Sequence, residues 1–391
     1  MLLKGSKSII NRLLCMSLYH DIELNVENVN YCNDVLEMMD VVQLLQTSLS
    51  KEVSFSISEA GTCLRFVLPF LAFSRYDFVT IHLGERLSQR PIMPLINCLN
   101  LAGANIVQNG DLIRIKTHDH LSDVFTLENC DSSQYLSSIL MFASSQKKEM
   151  KIIFKNPQII SYIKMTRDIL NLFGYSMIST EKEIIVLPQK VPFKKEIFFI
   201  CDPDYSTACY LWLYSILVKK EVFIKKIGII HHPDYYFIDV LKLLGIKFIE
   251  KEGFVSVETT ETTSLKNDLF VDMSSMPDQI ITLAFLALFS GIKIQISGCE
   301  TLPQKESNRV TGIIENVEIL GGKAFFDDGV LNIFPFDKVS LKPILKTFCD
   351  HRFALTFIIL KQKVPSIEID SIDSISKSYP GFIDQLSHLF Y

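Results

Sequence analysis

A chain of 391 residues is too long for one compact core, and at roughly 150 residues per domain the length favours two or three domains, with two as the working number. Lys and Arg total 39 against 44 Asp and Glu, a net charge of −5; this excludes the broad basic field that sequence-independent nucleic-acid binding requires, while an anionic small molecule is allowed if the cations are gathered locally. With 48% apolar and 21% charged residues the composition is globular, and no stretch approaches the ~18–20 uncharged apolar residues of a membrane span.

The start, Met1-Leu2-Leu3-Lys4, carries no apolar leader core, and the nine cysteines are scattered singly without metal-ligand spacing. A reduced, cytoplasmic chain without structural zinc is therefore expected. Along the chain, helix after helix is predicted to begin with a cluster of small polar or cationic residues just before an apolar run. Helix N-termini offer unpaired N–H groups and partial positive charge, which suits phosphates and carboxylates. The first cluster is Gly5-Ser6-Lys7-Ser8-Ile9-Ile10-Asn11-Arg12, with Ser8 and Arg12 on one face; it lacks the glycine spacing of a P-loop. The second is Ala60-Gly61-Thr62-Cys63-Leu64-Arg65, where Gly61 lets a ligand approach the backbone. The third, Arg86-Leu87-Ser88-Gln89-Arg90-Pro91-Ile92, puts two guanidinium groups ahead of a helix whose first turn takes Pro91.

Further along, Asp131-Ser132-Ser133-Gln134 is predicted to open a helix through Phe142, Asp204-Tyr205-Ser206-Thr207 one through Leu217, and Ser275-Met276-Pro277-Asp278 the buried helix to Phe289. Lys305-Glu306-Ser307-Asn308-Arg309 is expected to place Lys305 and Arg309 on one helix face. Asp350-His351-Arg352 precedes the apolar run Phe353 to Leu360, and Lys377-Ser378-Tyr379-Pro380 precedes the last helix. Singly, each is an ordinary N-cap or a solvated charge; their repetition points to a focused cationic site in an acidic protein.

A repeat underlies the series. Amphipathic helices ending at Gly103, Gly174, Gly245 and Gly321 are each followed by a strand, a polar turn and a second strand, with glycine spacings of 71, 71 and 76 residues. Weaker copies lie near Val35 to Ile57 and from Phe382. About six units of ~65 residues exceed the period of solenoids, so a closed pseudo-symmetric assembly of two three-unit halves is expected, with a ligand site in the cleft between them.

Eight of these motifs, in this order and approximate spacing, resemble the 5-enolpyruvylshikimate-3-phosphate synthase family over essentially the whole chain: Gly5-Ser6-Lys7-Ser8-x-x-Asn11-Arg12, Ala60-Gly61-Thr62-x-x-Arg65, Arg90-Pro91-Ile92, Ser132-Ser133-Gln134, Pro277-Asp278, Lys305-Glu306-Ser307-x-Arg309, Asp350-His351-Arg352 and Lys377-Ser378-Tyr379-Pro380. The resemblance implies an α/β (α+β) fold, a two-domain inside-out α/β barrel in which each domain holds three pseudo-symmetric βαβαββ-type units. The first domain would span 5–203 and the second 204–391 with 1–4. It also implies transfer of the enolpyruvyl group of phosphoenolpyruvate to the 5-hydroxyl of shikimate 3-phosphate, by a monomer without metal or organic cofactor. By motif, Lys7, Gly61, Arg90, Gln134, Arg309, Arg352 and Lys377 correspond to phosphoenolpyruvate contacts, and Ser8, Arg12, Ser132, Ser133, Gln134, Asp278 and Lys305 to shikimate 3-phosphate contacts. Asp278 is the expected base, Glu306 the expected acid, and Lys7 a further proton-transfer group.

The chain departs from the family pattern in places. Family members normally carry one more strand before Gly5, so either the chain begins further upstream or one unit has lost an edge strand, and Ile159 stands where the family has a phosphate-binding serine. Asn308 replaces Asp, Cys349 replaces the Asn before Asp350, Pro303 and Glu59 are unusual, and His232-Pro233-Asp234 stands for Gln-Gly-Asp. Two alternatives follow. One is the related transferase acting on UDP-N-acetylglucosamine, disfavoured because Gly84 to Gln89 lacks its loop cysteine. The other is a homologue that binds ligand without turning it over.

Overall fold

The computed structural model describes all residues except 118–120, 129–131, 156–159, 190–195, 227, 260–267, 337–338 and 389–391; Ile159 and Asp131 lie outside the described residues. The chain forms two compact units, an N-terminal one of Lys7–Cys201 and a C-terminal one of Met1–Ser6 with Asp202–Tyr391. Gly5, Ser6, Asp202 and Pro203 thus belong to the C-terminal unit, where Gly5 bridges Pro203 and the Ser6 amide donates to the Asp202 carbonyl at 2.9 Å.

In the N-terminal unit, strands Glu52–Ile57, Phe78–Leu83, Leu112–Lys116 and Ile106–Asn109 lie side by side in that order, the first pair parallel and the rest antiparallel. Strands Val124–Leu127, Met150–Phe154, Glu183–Val186 and Met177–Ser179 repeat the pattern, and Glu23–Glu27 pairs in parallel with Glu196–Ile200. The C-terminal unit has one further sheet of the same order, Leu269–Asp272, Ile294–Ser297, Val330–Phe334 and Lys323–Asp327. It also has the two-stranded parallel Ile344–Leu345 with Glu368–Ile369, and a three-stranded sheet of Ile224–Lys225, Phe254–Val257 and Phe248–Lys251. In that last sheet the Met1 amino group donates to the Phe223 carbonyl and the Lys225 amide to the Met1 carbonyl. Met1 therefore stands beside Ile224 where the four-stranded sheets carry their first strand. Among the described residues each unit holds three sheets.

The four repeat glycines end their helices with φ of 107°, 81°, 96° and 90°, the left-handed turn that a side chain resists. Each is followed by the expected antiparallel hairpin.

Three helices form the centre of each unit: Lys7–His20, Gly61–Ala72 and Ser133–Ser144 in one, Tyr205–Val218, Ile280–Phe289 and His351–Lys363 in the other. Within each unit the three pack on one another. Ile280–Phe289 is buried almost all round, as a helix apolar on every face must be, and each of its large side chains contributes about 1.5–3 kcal/mol by burial. Phe285 and Phe357 meet edge to face, centroids 5.1 Å apart, to join two of the three. Polar residues are buried within these helices as well as at their starts, among them Asn11, Arg12, Ser137 and Thr282. No described helix is long and apolar enough to cross a membrane.

Two local expectations are corrected. The helix after Arg90 runs Met93–Leu101, so Pro94 occupies its first turn and Pro91 lies before it; Arg86 belongs to a separate short turn, Glu85–Ser88. Lys305 ends the turn Leu302–Gln304 in an extended conformation and the next helix starts only at Arg309, so the two cations share no helix face.

Candidate active site

In the N-terminal unit the predicted residues sit at the adjoining starts of the three central helices. Lys7 opens the first and pairs with Asp34 at 2.9 Å. Gly61 opens the second, and Ser132 caps the third by accepting from the Gln134 amide. Gln134 ties two of them together: its side-chain nitrogen donates to Thr62 Oγ1 at 3.0 Å while its oxygen accepts from Arg65 Nη1 at 2.9 Å. Arg65 donates its other terminal nitrogen to the Pro91 carbonyl at 2.8 Å, which places the Arg90 segment beside Gly61. A Cβ built on Gly61 would lie 2.7 Å from Arg90 Nη1 and 2.8 Å from Arg65 Nη1. The absence of a side chain at Gly61 is what lets both guanidinium groups close on a helix N-terminus.

Arg12 is 2% exposed. It donates to the Ser8 carbonyl and to Thr166 Oγ1, each at 2.8 Å, and to Ser137 at 3.4 Å, with the Phe66 and Tyr162 rings on its faces. Burial lowers its pKa to about 10. Among the described residues none of its partners is a carboxylate, so a guanidinium is buried here on neutral groups alone, an expensive arrangement that an anion would relieve. At the start of the third helix Ser133 is buried and Ser132 is half-buried.

In the C-terminal unit the cations and carboxylates interlock. Arg309, 1% exposed, donates Nε to Asp350 Oδ2, Nη1 to Asp278 Oδ1 and Nη2 to Glu306 Oε2, all at 2.8 Å. Arg352 reaches Asp278 Oδ2 at 2.8 Å and Lys305 lies 3.2 Å from Asp278 Oδ1. Asp350 is fully buried and also caps its helix, accepting from the Arg352 amide at 3.0 Å. Burial acts to raise the Asp278 pKa, but Arg352, Lys305 and Arg309 outweigh it and hold the carboxyl well below its usual range. Burial lowers Lys305, with Asp278 and Glu306 opposing; for Arg309 burial is outweighed by Asp350, Glu306 and Asp278, and its pKa is raised. Among the described residues Arg309, Arg352 and Lys305 face Asp278, Glu306 and Asp350, and Asp278 is ionised throughout the working pH range. Lys377 is buried at the end of the turn Asp373–Lys377.

The family profile for EPSP synthase (3-phosphoshikimate 1-carboxyvinyltransferase) matches residues 2–386. The chain belongs to the EPSP synthase family. It is 27% identical over 410 residues to 3-phosphoshikimate 1-carboxyvinyltransferase 2 of Halalkalibacterium halodurans, covering 99% of this chain and 91% of the relative. It is 28% identical over 396 residues to 3-phosphoshikimate 1-carboxyvinyltransferase of Bacteroides fragilis, covering 98% and 93%. The EPSP synthase of Acinetobacter baumannii superimposes with a TM-score of 0.74 at 17% identity, over 100% of this chain and 95% of that one. The enolpyruvyl transferase NikO of Streptomyces tendae gives 0.75 at 12% identity, over 100% and 94%. These structural likenesses establish the two-domain enolpyruvyl transferase fold expected from sequence.

Set beside the EPSP synthase motifs, two departures have a visible consequence. Asn308 still caps its helix, its side-chain oxygen accepting from the Thr311 amide at 3.2 Å, so Asn does there what Asp would. Cys349 has φ of 52°, and Phe348 before it 54°; Asn tolerates that region better than Cys, so the segment leading into Asp350 is strained.

Sequence reasoning missed the partners. Asp34 lies 27 residues from Lys7, and Thr166 and Ser137 lie 154 and 125 residues from Arg12; no local signal marks them. Arg65 and Asp350 were legible as motif members, yet their roles as the anchors of Gln134 and Arg309 emerge only from contacts. A cavity of about 370 Å³ lined by Tyr205, Lys226, Ile230, His231, His232 and Tyr235 holds none of the residues expected to contact the substrates, and its Lys226 is paired with Glu250 at 3.6 Å.

Proposed function

We propose that the chain transfers the enolpyruvyl group of phosphoenolpyruvate to the 5-hydroxyl of shikimate 3-phosphate and releases phosphate, through a tetrahedral ketal, as a cytoplasmic monomer using no metal or organic cofactor. The observation that carries the reading is the Asp278 carboxylate, held ionised by Arg309, Arg352 and Lys305 within 3.2 Å: a proton acceptor ringed by the kind of cations that bind polyanions. Family membership names the reaction for which such a site is built.

In this reading Lys7, Gly61, Arg90, Gln134, Arg309, Arg352 and Lys377 hold phosphoenolpyruvate. Ser8, Arg12, Ser132, Ser133, Gln134, Asp278 and Lys305 hold shikimate 3-phosphate, whose phosphate supplies a counter-ion to Arg12. Asp278 takes the proton of the 5-hydroxyl as its oxygen bonds to C2 of phosphoenolpyruvate, while Glu306 or Lys7 protonates the methylene carbon. The ketal then returns a methyl proton to the group that supplied it, Glu306 or Lys7, and expels phosphate, which restores the double bond. The cationic ring stabilises charge that develops on the carboxylate and the departing phosphate.

Phosphate release measured with phosphoenolpyruvate and shikimate 3-phosphate tests the reading, with UDP-N-acetylglucosamine as the competing acceptor. Turnover with shikimate 3-phosphate alone is expected; a folded sample inactive with both acceptors would leave a ligand-binding protein. Gly61→Ala forces Arg65 and Arg90 apart, so the KM for phosphoenolpyruvate is expected to rise by about tenfold or more, the worth of one charge-assisted hydrogen bond. Steady-state kinetics against each substrate checks this, and an unchanged KM would remove Gly61 from the donor site.

A further inference from the structure

We infer that Glu37, a residue outside every motif used above, positions the donor-binding turn at Gly61. Glu37 lies on the helix Asn33–Thr47, one turn after Asp34. Its carboxylate reaches across to the turn between strand Glu52–Ile57 and helix Gly61–Ala72 and takes three consecutive backbone donors. The Ser58 amide donates to Oε1, and the Glu59 and Ala60 amides to Oε2 at 3.3 and 2.8 Å.

Those three N–H groups immediately precede Gly61, whose own amide donates to the Glu59 carbonyl at 2.9 Å. A carboxylate that accepts all three fixes their direction and leaves the Gly61 end of the turn to face Arg65 and Arg90. The same turn is confined on its other side, because Gly84 passes so close that a Cβ there would lie 2.1 Å from the Ser58 carbonyl oxygen. One helix thus sets two parts of the N-terminal cluster: Asp34 holds Lys7 at 2.9 Å, and Glu37 holds the approach to Gly61. Residues three apart on a helix share a face, which is why both carboxylates can serve one cluster. Glu37 touches no reacting atom in this scheme; it acts through the geometry of the turn, and a preorganised turn saves the ordering cost at each binding event.

The inference rests on the donor-site reading of Gly61, and two measurements separate them. In Glu37→Ala the KM for phosphoenolpyruvate is expected to rise about tenfold, with kcat and the KM for shikimate 3-phosphate changed less than about twofold, since an interaction common to ground and transition states is lost. Ala is a good helix former, so the helix should persist; Glu37→Gln, which keeps one acceptor oxygen and turns a donor toward the other N–H groups, should fall between. Hydrogen exchange of the peptide spanning Ser58–Arg65 in the ligand-free protein is expected to quicken in Glu37→Ala while the rest of the unit stays protected. Unchanged exchange there overturns the inference whatever the enzyme's activity. Quickened exchange with an unchanged phosphoenolpyruvate KM in an active enzyme refutes the positioning role, and an inactive wild type instead refutes the donor-site reading.

Discussion

Asp278→Asn is expected to lower kcat by about 10²–10⁴-fold, the usual contribution of a positioned acid or base, with the protein folded. The amide cannot accept the hydroxyl proton, and it removes the negative charge on which Arg309, Arg352 and Lys305 converge. Phosphate release with both substrates saturating measures the effect; a rate within about fivefold of wild type would take Asp278 out of the chemistry. The pH dependence of stability has a definite sign. Burial opposes ionisation of Asp278, but Arg352, Lys305 and Arg309 hold its folded pKa well below the ordinary value. Its contribution is therefore present in full above the unfolded pKa of about 3.9 and is lost only as pH falls through the depressed folded value. Thermal unfolding of wild type and Asp278→Asn should differ by a constant amount from neutrality down to about pH 5 and converge only at more acid pH.

Arg309→Met should destabilise the C-terminal unit by about 3–5 kcal/mol, because Asp350 is fully buried and Asp278 and Glu306 lose their shared partner. For a unit of this size that corresponds to a fall in Tm of about 6–20 °C, read by calorimetry. A fall of less than about 3 °C would mean that the carboxylates find other partners at no cost. Arg309→Lys keeps the charge and loses the fork that serves three carboxylates, so it should recover only part of the stability.

Much of the fold was written locally. A glycine at a helix end must take the left-handed turn regardless of what surrounds it, and so Gly103, Gly174, Gly245 and Gly321 marked the repeat correctly. The helix Ile280–Phe289 was readable because a run without a polar face has nowhere to go but the interior. Lys305 and Arg309 show where local reading stops. Spacing of four placed them on one helix face, whereas the turn at Leu302–Gln304 and the cap at Asn308 interrupt the helix; both cations reach Asp278 from different elements. Met1 shows the same limit in another form: nothing near it in the sequence marks its pairing beside Ile224.

By itself the sequence determined the family and the four helix-ending glycines that mark the repeat, since each depends on residues close together in the chain. Tertiary structure alone decided which charges neutralise one another: Lys7 with Asp34, Arg309 with Asp350, and Arg12 with no carboxylate among its described partners. The physical reason is that side-chain pairing is set by distances across packed helices, which sequence separation does not encode. The protonation state of Asp278 follows from the same geometry, since burial and the three nearby cations act on it in opposite directions and only their positions say which prevails.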